Sequence, residues 1–540
     1  MPATAPTGLG RTTRLAIVSF TTLCGSVSLI YPFGRDQGNY AYAGWVLLDG
    51  GAPYRDVFMF KPPMTAAVHA AALGLFGVNT WAIRVLDIGW SALTALAIAA
   101  IALELWQRRD VALASALTWP FLYYQIDYWN IAQTDGWMTL PSALAIWAVL
   151  RGGRAWVRSE WTAMAWWTAA GAFAGIAVLF KYTAGAIAGP MLAALAFVAV
   201  TRGRRVWSGL PLMLLGGAAI LAACWGWLAA TGAWDAFVET QLSLVAPYVV
   251  QRAKADTLGQ TLTQLVRLRA FQQDLLPLLW TGPIALIPAL IASAGGERAA
   301  WWALTIPLTW WLAAVVNVLV QGKFFDYHYL PIIAPSALLA GFGLGTALRK
   351  PFSRLRSGAA RAGVTATLAL VLIIATPIGG RARDAARVLT GSQTIETYIA
   401  SRREYSLPSY RVEEIHRLSK VLMETTTPEQ RVFVWGFHPT INIRARRRTV
   451  SRFLYNTPFR GSEHRARYEA ELMDALTAHP PEVIVVASGD RHFGLDRSYV
   501  DSASLLLEVP GLEPFILDHY RRDEPIGRFS IYRLGPGSSQ

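Results

Sequence analysis

Residues 35–63 read RDQGNYAYAGWVLLDGGAPYRDVFMFKPP and lie between two strongly apolar segments. The stretch gathers Arg35, Asp36, Asp49, Arg55, Asp56 and Lys61 into one loop. A loop joining two membrane spans gains nothing structurally from a lone acid at the lip of the first span, so Asp36 points to chemistry. Tyr40, Gly44, Leu47 and Leu48 recur at helical spacing beside Trp45, and Asp49-Gly50-Gly51 supplies a helix stop. This predicts a short amphipathic helix lying in the membrane interface. Arg55 and Asp56 shape the following turn, and Lys61-Pro62-Pro63 stiffens the way out. Residues 64–77 are expected to form a second interfacial helix, too short to span, and 235–248 a third.

Outward from this loop the chain is that of a polytopic α-helical membrane protein. Of its 540 residues 54% are hydrophobic, 22 are Trp, and the mean hydropathy is +0.33, values foreign to a soluble domain. Apolar runs long enough for a bilayer core of roughly 30 Å number about eleven. They lie near 14–31, 82–106, 110–126, 134–150, 163–180, 183–201, 208–230, 275–294, 299–320, 328–347 and 362–379. The net charge of +14 is a topology signal: residues 1–380 carry +11 of it and the polar remainder only +3. Loops on the N-terminal side of the membrane hold sixteen Lys and Arg against nine opposite, which places the N-terminus inside and the tail outside. This distribution leaves no basic patch for nucleic acid. The first span is read as an uncleaved anchor, since no small-x-small cleavage site follows it. Cys24 and Cys224 both lie in apolar runs, so neither a disulfide framework nor a Cys-based metal site is expected.

The predicted domains are 1–380, membrane-embedded with an outer loop at 32–80, and 381–540, a soluble α/β domain. In the tail Val432–Trp435, Val483–Ala487 and 529–532 read as strands, with a helix at 465–477. The basic run 444–448 suits either an anionic acceptor or lipid headgroup, or a solvated turn.

Asp36 directly after the first span, an interfacial helix, and then Lys61-Pro62-Pro63 resemble the first periplasmic loop of the GT-C glycosyltransferases. The resemblance is to the branch of protein O-mannosyltransferases and lipid A aminoarabinose transferases. It continues through Asp135 in QTDGWMTLP, Phe180-Lys181-Tyr182-Thr183 in a tight turn, and His328-Tyr329-Leu330-Pro331 opening a later span. VFVWGFHPT at 432–440 and PPEVIVVAS at 480–488 resemble the soluble periplasmic domain of bacterial members. One departure is Asp36-Gln37, where the family often has Asp-Glu.

The resemblance implies a multi-pass enzyme of the bacterial inner membrane, with its C-terminal domain periplasmic. It implies an inverting sugar transfer from a polyprenyl-phosphate donor to a lipid, glycan or protein acceptor. Such a displacement needs a base for the acceptor's proton and positive charge for the departing phosphate. Asp36 is the expected base, and Lys61 the first group for the phosphate. Asp135, Lys181, Lys323 and His328 are the further substrate-binding residues. Each has a structural alternative. Asp36 could pair with Arg35 or cap its helix, Lys61 could snorkel, Asp135 could cap its span or pair with Lys181, and His328 could satisfy a backbone carbonyl. Neither an Asp-x-Asp motif in a nucleotide-binding domain nor a Gly-rich phosphate loop occurs, so the donor is expected to be lipid-borne. No cofactor is expected; a divalent metal on Asp36, Asp135 and His328 is the alternative. A lipid-linked-sugar transporter would instead need midplane polar groups in repeated halves, and no internal repeat is found.

Overall fold

The computed structural model describes residues 8–245, 298–347, 363, 367, 370–371, 373–402, 410–460, 463–491 and 500–535. It divides into two compact units. The first comprises 1–29, 84–224 and 253–385, and the second 30–83, 225–252 and 386–540. The outer loop therefore groups with the polar tail.

The chain is a polytopic helical membrane protein. Among the described residues seven helices are long and apolar enough to cross a bilayer: Arg11–Ile30, Thr80–Trp106, Glu160–Phe180, Tyr182–Arg202, Arg205–Ala230, Trp302–Gln321 and Asp326–Thr346. Two other expected spans are helical but fall outside that set. Arg109–Tyr123 has only 15 residues, and the run at 134–150 is broken into Thr134–Trp137 and Thr139–Trp156. The expected span 275–294 lies outside the described residues, as do seven of the eighteen residues of 362–379.

Small residues set how closely helices of the first unit approach. A Cβ on Gly171 would stand 1.7 Å from the Met213 carbonyl oxygen, and one on Gly216 would stand 2.0 Å from that of Thr168. Helices Glu160–Phe180 and Gly209–Ala230 thus meet backbone to backbone.

The second unit has a four-stranded sheet, β1 Val432–Trp435, β2 Val483–Ala487, β3 Tyr520–Arg522 and β4 Phe529–Leu534, in the order β1-β2-β4-β3. β1 and β2 run parallel, joined through helix Arg465–Ala478, while β4 is antiparallel to both β2 and β3. Every residue of β1 and β2 is buried, which explains why both read as unbroken apolar runs.

Helix Arg35–Leu48 differs from expectation. It is helical where predicted, but it is no interfacial helix with a free face, since ten of its fourteen residues are buried. Helix Met64–Phe76 packs on one side and helix Thr440–Ala445 on another. Gly38 and Gly44 allow both contacts. A Cβ on Gly38 would lie 2.8 Å from Thr440 Cα, and one on Gly44 would lie 2.6 Å from the Ala70 nitrogen.

Candidate active site

In the second unit, Asp36 occupies the first turn of helix Arg35–Leu48 and is half-buried within an otherwise fully buried run, 31–40. Among the described residues its carboxylate makes no ion pair and no side-chain hydrogen bond. The Arg35 guanidinium instead lies 4.3 Å over the Phe437 ring. The helix cap is Gly34, whose N–H donates to Gln37 Oε1 at 2.8 Å. Both structural alternatives for Asp36 are therefore taken up by other groups. Gln37 is fully buried and reaches back to the helix start, an N3 capping role that a neutral amide fills without a second charge.

Lys61 is half-buried in the same unit. Its carbonyl accepts from the Tyr54 hydroxyl at 2.7 Å, and among the described residues its ammonium forms no ion pair. No hydrogen bond joins Asp36 to Lys61. Arg55 and Asp56 hold the intervening turn as expected. They pair at 2.7 Å, and Asp56 also accepts the Ala52 N–H, also at 2.7 Å. The Arg55 hydrogen bond keeps the Asp56 carboxyl below its usual range.

Three of the four arginines in the basic run 444–448 are turned to internal use, while Arg446 is exposed. Arg447 is buried and donates to the Thr426 hydroxyl, at 2.7 Å, and to the Thr426 carbonyl, closing the end of helix Val412–Thr425. Arg448 pairs with Asp49 and stacks 3.6 Å over Trp45, and Arg444 bonds His416. The segment 235–248, expected as a third interfacial helix and described only as far as 245, carries Glu239, which the Tyr468 hydroxyl and Arg467 engage and Arg452 approaches at 3.8 Å. These partners hold the Glu239 carboxyl below its usual range against the opposing effect of burial.

In the first unit the structure brings Asp135 and Lys181 together. Asp135 is fully buried in the short helix Thr134–Trp137, and Lys181 ends helix Glu160–Phe180 in extended conformation. Lys181 Nζ donates to both Asp135 oxygens, at 2.8 and 2.7 Å. The same ammonium lies 5.9 Å from the Tyr327 ring centroid. His328, the next residue, is buried, with its ring edge-on to Tyr327 at 4.7 Å. Lys323 is half-buried just ahead of this turn. A cleft lined by Met138, Thr139, Thr183, Ala184, Trp310 and Asn317, among others, opens between the elements that carry Asp135, Lys181 and His328.

A carboxylate that the motif reading missed underpins the Asp135 loop. Asp87 is buried and accepts from the Tyr123 hydroxyl at 2.8 Å, Trp137 Nε1 at 2.7 Å and the Tyr124 hydroxyl at 3.4 Å. The Tyr123 oxygen in turn accepts the Ala132 N–H at 3.0 Å. Arg84 donates to the Tyr128 carbonyl, and Arg381 to those of Tyr124 and Ile126. Two ionisable residues, Arg84 and Asp87, one turn apart near the end of an apolar helix were the available signal. Among the described residues no three His, Cys, Asp or Glu side chains gather closely enough to hold a metal ion.

Residues 60–229 match the family model described as dolichyl-phosphate-mannose-protein mannosyltransferase. Among solved structures, the chain is similar to ArnT from Cupriavidus metallidurans bound to undecaprenyl phosphate, with 15% identity and a TM-score of 0.57, covering 97% of this chain and 98% of that one. The apo state of the same protein gives 15% identity and 0.54 over the same shares. The archaeal oligosaccharyltransferase AglB from Archaeoglobus fulgidus, in complex with an inhibitory peptide and a dolichol-phosphate, gives 12% and 0.48 over 97% of this chain and 75% of that chain. No curated protein matches the chain. The chain thus shares the fold of ArnT over nearly its whole length, with a C-terminal sheet domain, in line with the expected fold class.

Proposed function

We propose that this protein is an inverting glycosyltransferase that moves a hexose or pentose from polyprenyl phosphate to an acceptor on the periplasmic face of the bacterial inner membrane. The observation that carries this reading is Asp36, a half-buried carboxylate that makes no ion pair and no side-chain hydrogen bond among the described residues, at the start of a helix whose surroundings are otherwise closed. The acceptor hydroxyl attacks the anomeric carbon as the bond from that carbon to the phosphate oxygen breaks, and Asp36 takes the hydroxyl proton. The bond pair stays on the lipid phosphate, whose charge rises from about −1 to −2 as a diester becomes a monoester. Lys61 meets that charge, with Lys323 and His328 as further contacts, and the Asp135–Lys181 pair binds the donor headgroup. ArnT, to which the chain is similar, was solved with undecaprenyl phosphate, which supports a polyprenyl-phosphate donor.

In this reading 1–380 is the catalytic membrane domain, with a cytoplasmic N-terminus, and 381–540 is a periplasmic α/β domain. The reaction as written uses no cofactor. The acceptor is a lipid, a glycan or a protein.

The test is transfer from radiolabelled undecaprenyl-phosphate hexoses and pentoses to an envelope extract by purified protein in micelles. Transfer that disappears in Asp36→Asn while the protein stays folded supports the reading. Undiminished transfer by Asp36→Asn overturns the role of Asp36. Movement of the labelled lipid across liposomes without any transfer replaces the enzyme with a transporter.

A further inference from the structure

Among the described residues no side chain bonds the Asp36 carboxylate, so its place is argued from the backbone that bears it. That backbone is gripped from far along the chain. The Thr440 hydroxyl donates to the Gly34 carbonyl at 3.4 Å, leaving its oxygen to accept from Tyr410, 2.8 Å away. The one Tyr410 proton is shared with the Phe33 carbonyl oxygen, 3.3 Å away, in a three-centre hydrogen bond. Arg35 is held against Phe437. Three successive residues, Phe33, Gly34 and Arg35, are thus each engaged by Tyr410 or by the FHPT segment at 437–440. Gly38, one turn beyond Gly34, leaves room for Thr440 at the helix.

The clamp is itself braced. Tyr410 and Thr440 are buried, and the Tyr410 ring stacks on His438 at 5.8 Å and 14°. His438 stands edge-on to Phe529 of β4 and 3.6 Å from Asp490, whose oxygens accept the N–H and hydroxyl of Ser502 at 2.8 and 2.7 Å. Two buried hydroxyls spent on carbonyls just ahead of a helix add little to a fold that already closes this helix on two sides. They do fix where its first turn begins.

We propose that Tyr410 and Thr440 are positioning residues, holding Phe33 and Gly34 so that the tail domain sets the placement of Asp36. This rests on Asp36 being the base. Misplacing a reacting group by about 1 Å can cost about 10²-fold in rate, whereas ground-state binding of the donor would be spared.

The experiment compares Tyr410→Phe, Thr440→Val and Thr440→Ser with wild type and Asp36→Asn in micelles. The probe is whichever radiolabelled undecaprenyl-phosphate sugar the wild type uses, with envelope extract as acceptor. Tyr410→Phe and Thr440→Val keep the packed shape and remove one hydroxyl each. The expected result is a roughly tenfold or greater fall in kcat, with donor KM and melting temperature unchanged and the rate restored in Thr440→Ser. Amide exchange at 35–38 should also rise in the two hydroxyl-deleted variants. In the Asp36→Asn background Thr440→Val should lower the residual rate no further, because the group being positioned is gone. A kcat within twofold of wild type in both hydroxyl-deleted variants, or a loss that tracks the melting temperature, overturns the proposal while Asp36→Asn remains inactive. An active Asp36→Asn, or a wild type that uses no donor, overturns the underlying reading instead, and the proposal falls with it.

Discussion

In the first unit Lys181 spends two hydrogen bonds on a fully buried Asp135, whereas in the second unit Asp36 and Lys61 are half-buried and neither forms an ion pair among the described residues. The two arrangements carry opposite costs. A buried pair is tolerable only while both charges are present, and deleting one strands the other in a low-dielectric interior. A partly solvated carboxylate with nothing attached can be neutralised without disturbing the fold, so its value lies in what it does to a substrate. The first pair should answer mutation through stability as well as donor use, and the second through activity alone. Asp36→Asn provides the sharpest contrast. It should lower kcat about 10²–10⁴-fold, the usual worth of a general base, with the melting temperature of the detergent-solubilised protein unmoved. A comparable fall in melting temperature would erase the distinction.

Lys181→Met should add a loss of stability to its loss of donor use. Leaving Asp135 buried without its counter-ion costs about 3–5 kcal/mol, visible as a lower melting temperature and poorer recovery of folded protein. Adding Asp135→Asn should restore much of that loss, because the stranded charge is removed. If the double variant is as unstable as Lys181→Met, the pair is not what holds the turn. Lys61→Ala should have a smaller effect, and of a different kind. A hydrogen bond to a charged group contributes about 1.5–3 kcal/mol, so donor use, read as kcat/KM, should fall tenfold or somewhat more with stability kept. Equal kcat/KM in the variant and wild type would place the phosphate elsewhere.

How much of this contrast was legible in the sequence depended on distance along the chain. The limits of β1 and β2 and the helix between them were readable because contiguous apolar runs bounded by charge are local signals. The sites of Asp135 and Lys181 were readable as acids and bases at span ends, and so was Asp36. What escaped was who meets whom. Tyr410 and Thr440 are ordinary residues in polar sequence, and their bonds to Phe33 and Gly34 join positions 377 and 406 residues apart. Burial of helix Arg35–Leu48 was hidden for a related reason. Its Gly and Ala residues read as a weakly apolar face, yet they are what lets neighbours close on two sides. Asp87 and Arg84 were absorbed into an apolar window that tolerates two charges, although their partners Tyr123, Trp137 and Tyr128 frame the loop bearing Asp135.

The brace behind the clamp makes the mildest prediction, and its sign can be worked out. Burial holds the His438 imidazole below its ordinary value near 6.5, and the positive charges of Arg35 and Arg528 add to this, outweighing the opposing pull of Asp490. A base whose folded value is depressed takes up its proton first in the unfolded chain. The unfolded state therefore binds more protons once the pH drops below about 6.5, and stability falls with falling pH through that window. His416 is depressed as well, by burial and by Arg444, and contributes in the same direction. The lowered carboxylates Asp56, Glu239 and Asp501 also lose stability on acidification. They do so only near the unfolded carboxylate values of about 4, outside the window. The melting temperature of wild type should thus decline between pH 7.5 and 5.5, and His438→Gln should decline less steeply over the same range. Parallel slopes would mean that His438 takes up its proton in the folded chain as readily as in the unfolded one, and that the stack on Tyr410 does not depend on a neutral ring.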